Sequence, residues 1–122
     1  MTLNEYQQRA MTTCLPESEN FSYMMLNLAG EVGEIAGKVS KYIRKGYANI
    51  DGNDLHLYSQ GDDNAAWERE SDLRKEAGDV LWQLSGLCTV MGWDLEDIAR
   101  QNLDKLADRK QRGVIASHGD NR

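Results

Sequence analysis

Two short stretches of this sequence set a pair of carboxylates around a glycine. They are Glu31-Val32-Gly33-Glu34-Ile35 and, 45 positions further on, Glu76-Ala77-Gly78-Asp79-Val80. Residues three apart on a helix are separated by close to one turn, roughly 4.5 Å of rise, so each pair projects from one face. Acids gathered in this way repel one another unless a cation lies between them, and a divalent ion turns the same crowding into attraction. Carboxylate oxygens are the donors that Mg²⁺ and Mn²⁺ take. For one such pair alone, a solvated acidic face is the plainer reading; the matched second copy points to a site.

The flanking residues predict the helices that carry the acids. Met25, Leu28, Val32, Ile35 and Val39 step by three and four, which predicts a helix capped by Ser18 or Asn20, running to about Arg44 and ending at Gly46. A second seam, Leu73, Ala77, Val80, Leu84, Leu87 and Met91, predicts a helix that begins between Asn64 and Ser71 and stops before Gly92. In both, each acid precedes a seam residue, so helices packed through their seams would bring the carboxylates to a shared edge. A glycine inside a helix costs about 1 kcal/mol relative to alanine, and close backbone approach is the expected reason for Gly33 and Gly78.

The rest of the chain is read around these helices. Thr2 and Glu5 form a capping-box pattern for a helix to about Thr13, which Pro16 ends. Turn-forming residues from Gly46 to Asn64 predict a long inserted loop, in which Tyr47, His56 and Tyr58, with nearby Trp67, are candidates for stacking on a base or for anchoring the loop. Trp82 is expected in the core. Asp94 is placed to cap a last helix to about Lys110, closed by Gly113. Lys105 and Arg109 share a face of it, and Arg112 lies near its end. Basic residues there also suit the helix dipole. Residues 116–122 are expected to be a flexible tail.

At 122 residues the chain is expected to form one helical domain over residues 1–115, with the 46–64 loop inserted in it. A net charge of −6 argues against a nucleic-acid polymer or an anionic membrane as partner. The apolar runs are too short to span a bilayer, and the first residues lack a basic segment followed by an apolar one, so a cytoplasmic location is expected. Cys14 and Cys88 form no metal-binding spacing and are expected as free thiols; His56 and His118 are too isolated for a dyad. Apolar residues outside the seams, Leu81 and Trp82 among them, predict a homo-oligomer, a homodimer or homotetramer.

Three segments together resemble the MazG-like all-alpha nucleoside triphosphate pyrophosphohydrolases: Leu28-Ala29-Gly30-Glu31-Val32-Gly33-Glu34-Ile35, Glu76-Ala77-Gly78-Asp79-Val80-Leu81, and Asn102-Leu103-Asp104-Lys105-Leu106 through Arg109 to Gly113. The resemblance covers roughly residues 20–115. It implies a small antiparallel bundle of four main helices and Mg²⁺-dependent cleavage of nucleoside triphosphates to monophosphate and pyrophosphate. Glu31, Glu34, Glu76 and Asp79 match the family's metal-binding acids. Gly30 stands where the family's EExxE pattern has its first acid, and the 41 residues between Glu34 and Glu76 exceed the usual interval.

On this reading Mg²⁺, or Mn²⁺ in its place, is favoured over iron, because the histidines of di-iron carboxylate bundles are missing. Glu34 is the expected general base, and Lys38, Asn102, Lys105, Arg109 and Arg112 the expected substrate-binding residues. A dUTPase-like or phosphoribosyl-ATP-cleaving relative is the enzymatic alternative. A catalytically inactive, metal-stabilised helical adaptor is the alternative of another class.

Overall fold

A computed structural model describes residues 1–59, 65–116 and 118–121. It is all-α in its main elements. Helices α1 (Leu3–Met11), α2 (Phe21–Arg44), α3 (Ala66–Val90) and α4 (Leu95–Arg112) are joined by a short 3₁₀ turn at Pro16–Ser18 and by a hairpin of strands β1 (Ala48–Asp51) and β2 (Asp54–Leu57). No helix is long and apolar enough to cross a membrane.

Local sequence sets most of the helix ends. Thr2 Oγ1 accepts the Glu5 amide at 3.0 Å while Glu5 Oε2 accepts the Thr2 amide at 3.1 Å, closing the expected capping box. Asn20 Oδ1 accepts the Tyr23 amide at 2.8 Å and starts α2. Gly113 closes α4 at a φ of 72°, a conformation that costs glycine no Cβ clash. The start of α4 differs from the expectation, because Asp94 makes no side-chain cap. Its first amides are capped from α1 instead: Gln7 Oε1 accepts from Leu95 at 2.7 Å and Asn4 Oδ1 from Glu96 at 3.1 Å. Gln7 Nε2 also donates to Thr89 Oγ1 and the Trp93 carbonyl, and Trp82 Nε1 donates to the Ala10 carbonyl and Thr13 Oγ1. Alpha-helix α1 is thereby bonded to α3 and to α4.

The segment expected as a loop is in part a hairpin, paired Ala48 to Leu57 through Asp51 to Asp54. Its two-residue turn has Gly52 at a φ of 63° and Asn53 at negative φ, as a type II′ turn requires. Residues 60–64 of the expected loop lie outside the described residues. Arg69, 1% exposed, clamps the hairpin to α3: its guanidinium lies 4.2 Å from the centre of the Tyr47 ring and donates to the Tyr58 carbonyl. Near the end of the described residues, Asp120 pairs with Lys105 and Arg109 of α4.

Helices α2 and α3 form the most extensive packing in the chain. Lys38 meets Glu76 while Met24 meets Gly86, so they run antiparallel. Their apolar seams are only partly enclosed. Val32 is 53% exposed, Met25 and Ala77 are exposed, and the buried stripe of α3 runs instead through Arg69, Glu76 and Gln83, each seven residues from the last. The described core holds few apolar residues: Met24, Ala48, Cys88 and Leu95. The glycines correct a second expectation. A Cβ at Gly33 or Gly78 would meet nothing within 4 Å, whereas one at Gly86 would fall 2.3 Å from Met24 Sδ. Close approach is therefore at Gly86.

These surroundings give opposite outcomes for the same substitution. Gly78→Ala is expected to raise stability by about 0.5–1 kcal/mol through helix propensity. Gly86→Ala is expected to lower it by about 1 kcal/mol, because displacing the fully buried Met24 costs about 1–3 kcal/mol and outweighs that gain. Urea unfolding midpoints of the two variants check this.

Candidate metal centre

Two turns of α2 and one of α3 face each other across the antiparallel interface. Glu31, Glu34 and Glu76 each direct a carboxylate oxygen into one cluster, and these oxygens lie within 4.8 Å of one another. Oxygens on opposite sides of a Mg²⁺ ion stand about 4.2 Å apart, so small side-chain rotations bring the three into one coordination shell. Glu31 Oε2 and Glu76 Oε2 are buried and have no hydrogen-bond partner. A protein rarely encloses carboxylate oxygens without a donor, and two such atoms in one cluster are what a hard cation would satisfy. The residues present fit Mg²⁺ or Mn²⁺.

The three acids are electrostatically distinct. Burial pushes the Glu31 carboxyl above the ordinary value of 4.5, with the charges of Asp79 and Glu76 adding to the shift. Glu34 is raised first by its hydrogen bond to Glu76, then by the charges of Glu31 and Glu76. Glu76 is held below the ordinary value, chiefly by Lys38 and next by Glu34. Lys38 Nζ reaches across to Glu76 Oε1 at 2.8 Å rather than pairing with Glu34 on its own helix. The hydrogen bond to Glu76 raises the Lys38 ammonium in turn.

The other expected site residues are placed differently. Asp79 is exposed and lies outside the three-acid cluster, near enough for its charge to raise both Glu31 and the half-buried Tyr6 of α1. On α4, Asn102 and Lys105 line a shallow hollow with Ile98 and Gln101. Lys105 and Arg109 turn to Asp120, and Arg112 pairs with Asp108 at 2.9 Å. The cation that meets the acid cluster is Lys38. The stacking candidates do not converge on the acids either. Trp67 and Glu76 are nine residues apart on α3, about two and a half turns, and so face opposite ways. The Tyr47 ring is covered by Arg69. His56, Tyr58 and Trp67 line a separate groove with Glu70 and Leu73.

Sequence reasoning missed Gln83 and Ser85. Both are buried, and Gln83 Oε1 and Ser85 Oγ have no hydrogen-bond partner. Gln83 lies two turns beyond Glu76 on the same stripe. Its signal was the seven-residue spacing of Arg69, Glu76 and Gln83, polar residues at the interval of a packed face.

The shifts fix the sign of a pH dependence. Glu31 and Glu34 have raised folded values, so the metal-free folded chain keeps protons that the unfolded chain releases. Their contribution is favourable at low pH and is lost as pH rises from 4.5 through the raised values. Glu76 acts oppositely, its contribution being lost as pH falls through its lowered value. A divalent ion competes with protons for these raised carboxyls, so the rise in Tm produced by Mg²⁺ is expected to grow as pH climbs above 4.5. In Glu34→Gln that growth should be largely lost; thermal melting with Mg²⁺ or with a chelator checks it.

Comparison with known proteins agrees with this centre. A model of the MazG nucleotide pyrophosphohydrolase domain matches residues 19–114, a span that holds Glu31, Glu34, Lys38, Glu76, Asp79 and α4. The chain is 38% identical over 104 residues to the Gene 37 protein of Mycobacterium phage L5, covering 85% of this chain and 78% of that one. No solved structure gives a significant match. With the match across both acid-bearing helices and a cation-fitting cluster between them, the chain belongs to the MazG nucleotide pyrophosphohydrolase family.

Proposed function

We propose that the protein is a Mg²⁺-dependent nucleoside triphosphate pyrophosphohydrolase that cleaves ribo- or deoxyribonucleoside triphosphates to the monophosphate and pyrophosphate. The observation that carries this reading is the pair of buried, unpartnered carboxylate oxygens, Glu31 Oε2 and Glu76 Oε2, in a cluster inside the family match. When bound, Mg²⁺ or Mn²⁺ supplies charge neutralisation for the triphosphate and a lowered pKa for water. Glu31, Glu34 and Glu76 would hold the ion, with Asp79 as the fourth carboxylate.

Glu34 accepts the proton of the attacking water, in keeping with a carboxyl that its hydrogen bond to Glu76 and the charge of Glu31 raise above the ordinary value. The water oxygen attacks the α-phosphorus, the bond to the bridging α–β oxygen breaks, and pyrophosphate leaves. Lys38 offers its N–H donors to phosphate oxygens from beside Glu76. Asn102, Lys105, Arg109 and Arg112 are the further substrate-binding residues, presented at the end of α4. A cytoplasmic location goes with this activity.

The protein works as a homodimer or homotetramer. Phe21, Met25, Leu26 and Val32 on α2 and Leu103 and Leu106 on α4 are all exposed, more apolar surface than a chain with so small a core ordinarily leaves in water. One observation favours the adaptor reading: Gly30 in place of an acid of the family pattern. The adaptor would melt at a higher temperature with Mg²⁺ and turn nothing over.

A panel of nucleoside triphosphates with Mg²⁺, read for monophosphate and pyrophosphate together, is expected to show release from at least one substrate. Folded protein that releases none across the panel refutes the enzyme. Glu34→Gln is expected to lower kcat about 10²–10⁴-fold, the usual contribution of a general base. Full activity in that variant would move the role elsewhere. Light scattering is expected to give a mass of two or four chains, and a monomer would refute the assembly.

A further inference from the structure

Arg109 is enclosed, 4% exposed, near the end of a helix whose other residues are mostly exposed. A guanidinium taken out of water needs a counter-charge. The residue that supplies it is Asp120: Arg109 Nη2 donates to the Asp120 carbonyl at 3.0 Å and to its Oδ1 at 3.1 Å, and Lys105 Nζ lies 3.4 Å from the same Oδ1. The pair is lopsided. Arg109 is fixed and dehydrated, while the Asp120 side chain is 85% exposed. The anion is thus the replaceable member.

The cradle also has a donor that Asp120 does not use. Arg109 Nε is buried and has no hydrogen-bond partner, because both contacts from the tail fall on Nη2. The Nε and Nη2 edge of a guanidinium is a two-pronged fork whose natural complement is a pair of oxygens on one phosphate. Lys105 stands one turn before Arg109 on the same face and adds a second charge, and Asn102 continues the stripe into an open hollow. A carboxylate held by one prong therefore sits where a phosphate could engage both.

We infer that Asp120 is an internal competitor: its carboxylate closes a cradle, built by Lys105 and Arg109, that takes a phosphate-bearing anion when this contact opens, an inference that rests on the substrate-binding role proposed for those two residues. Binding and tail release are then linked, since one anion replaces another on the same two cations. This linkage requires neither the divalent ion nor hydrolysis.

The test uses inorganic pyrophosphate as the probe, in a chelator, so that the acid cluster and turnover play no part. By isothermal titration, Asp120→Asn is expected to bind pyrophosphate at least fivefold more tightly than the natural chain. Adding Lys105→Ala to that variant is expected to remove the gain. The melting temperature of Asp120→Asn should fall without anion and recover with pyrophosphate, whereas potassium chloride at matched ionic strength should not restore it. In the natural chain, saturating pyrophosphate is expected to move the Gly119 and Asp120 amide resonances toward unstructured positions, a measurement that depends on no variant. Unchanged affinity in Asp120→Asn, a gain that survives Lys105→Ala, or amide resonances indifferent to pyrophosphate would each overturn the inference. Nucleotide cleavage with Mg²⁺ is read in a separate assay, so failure of the Asp120 competition and failure of the enzyme reading are distinguishable.

Discussion

The structure depends on negative charge being confined between two helices. Glu31, Glu34 and Glu76 occupy the α2–α3 interface where a stable pair of helices would ordinarily place leucine or alanine. Three devices make that tolerable within the chain. Lys38 neutralises Glu76, the neighbouring carboxylates raise Glu34 and so favour its uncharged form, and the exposure of Glu34 leaves its charge in water. None of them satisfies the buried second oxygens of Glu31 and Glu76. The interface is built with a deficit of positive charge, which a divalent cation would fit.

The same arrangement explains why so much apolar surface faces outward. Helix α3 gives its buried stripe to Arg69, Glu76 and Gln83, while its leucines and those of α2 are half-buried or exposed. Apolar burial is the main favourable term in folding, and a chain that spends its best interface on polar groups needs burial elsewhere. The acid cluster and the outward apolar surface are thus consequences of one choice about which stripe of α3 points inward.

The sequence made the helices, the carboxylate pairs and the caps at Thr2, Asn20 and Gly113 legible, since each is encoded within a few neighbouring residues. The angular placement was less so. The seams of α2 and α3 mark an apolar stripe without saying which neighbour meets it, so Val32 and Ala77 looked like contact residues and are exposed. The acids lie beside those seams, and it is they that turned inward. The hairpin was readable in principle: Gly52-Asn53 between Ile50 and Leu55 is a type II′ signal, but the many other turn formers nearby obscured it. Nothing local could show that Lys38 prefers Glu76 to Glu34, because that choice depends on the distance between two helices. The pairing of Lys105 and Arg109 with Asp120 is non-local in the same way.

Gln7 bonds to Thr89, Trp93 and Leu95, and with Asn4 it caps a helix that begins almost ninety residues later. If α1 lifts away, the opening amides of α4 lose their acceptors with no side chain of their own to replace them. The first and last helices must therefore open as one cooperative unit despite lying at opposite ends of the chain. Solvent exchange at the Leu95 and Glu96 amides is then a gauge of how firmly the N-terminal helix is seated.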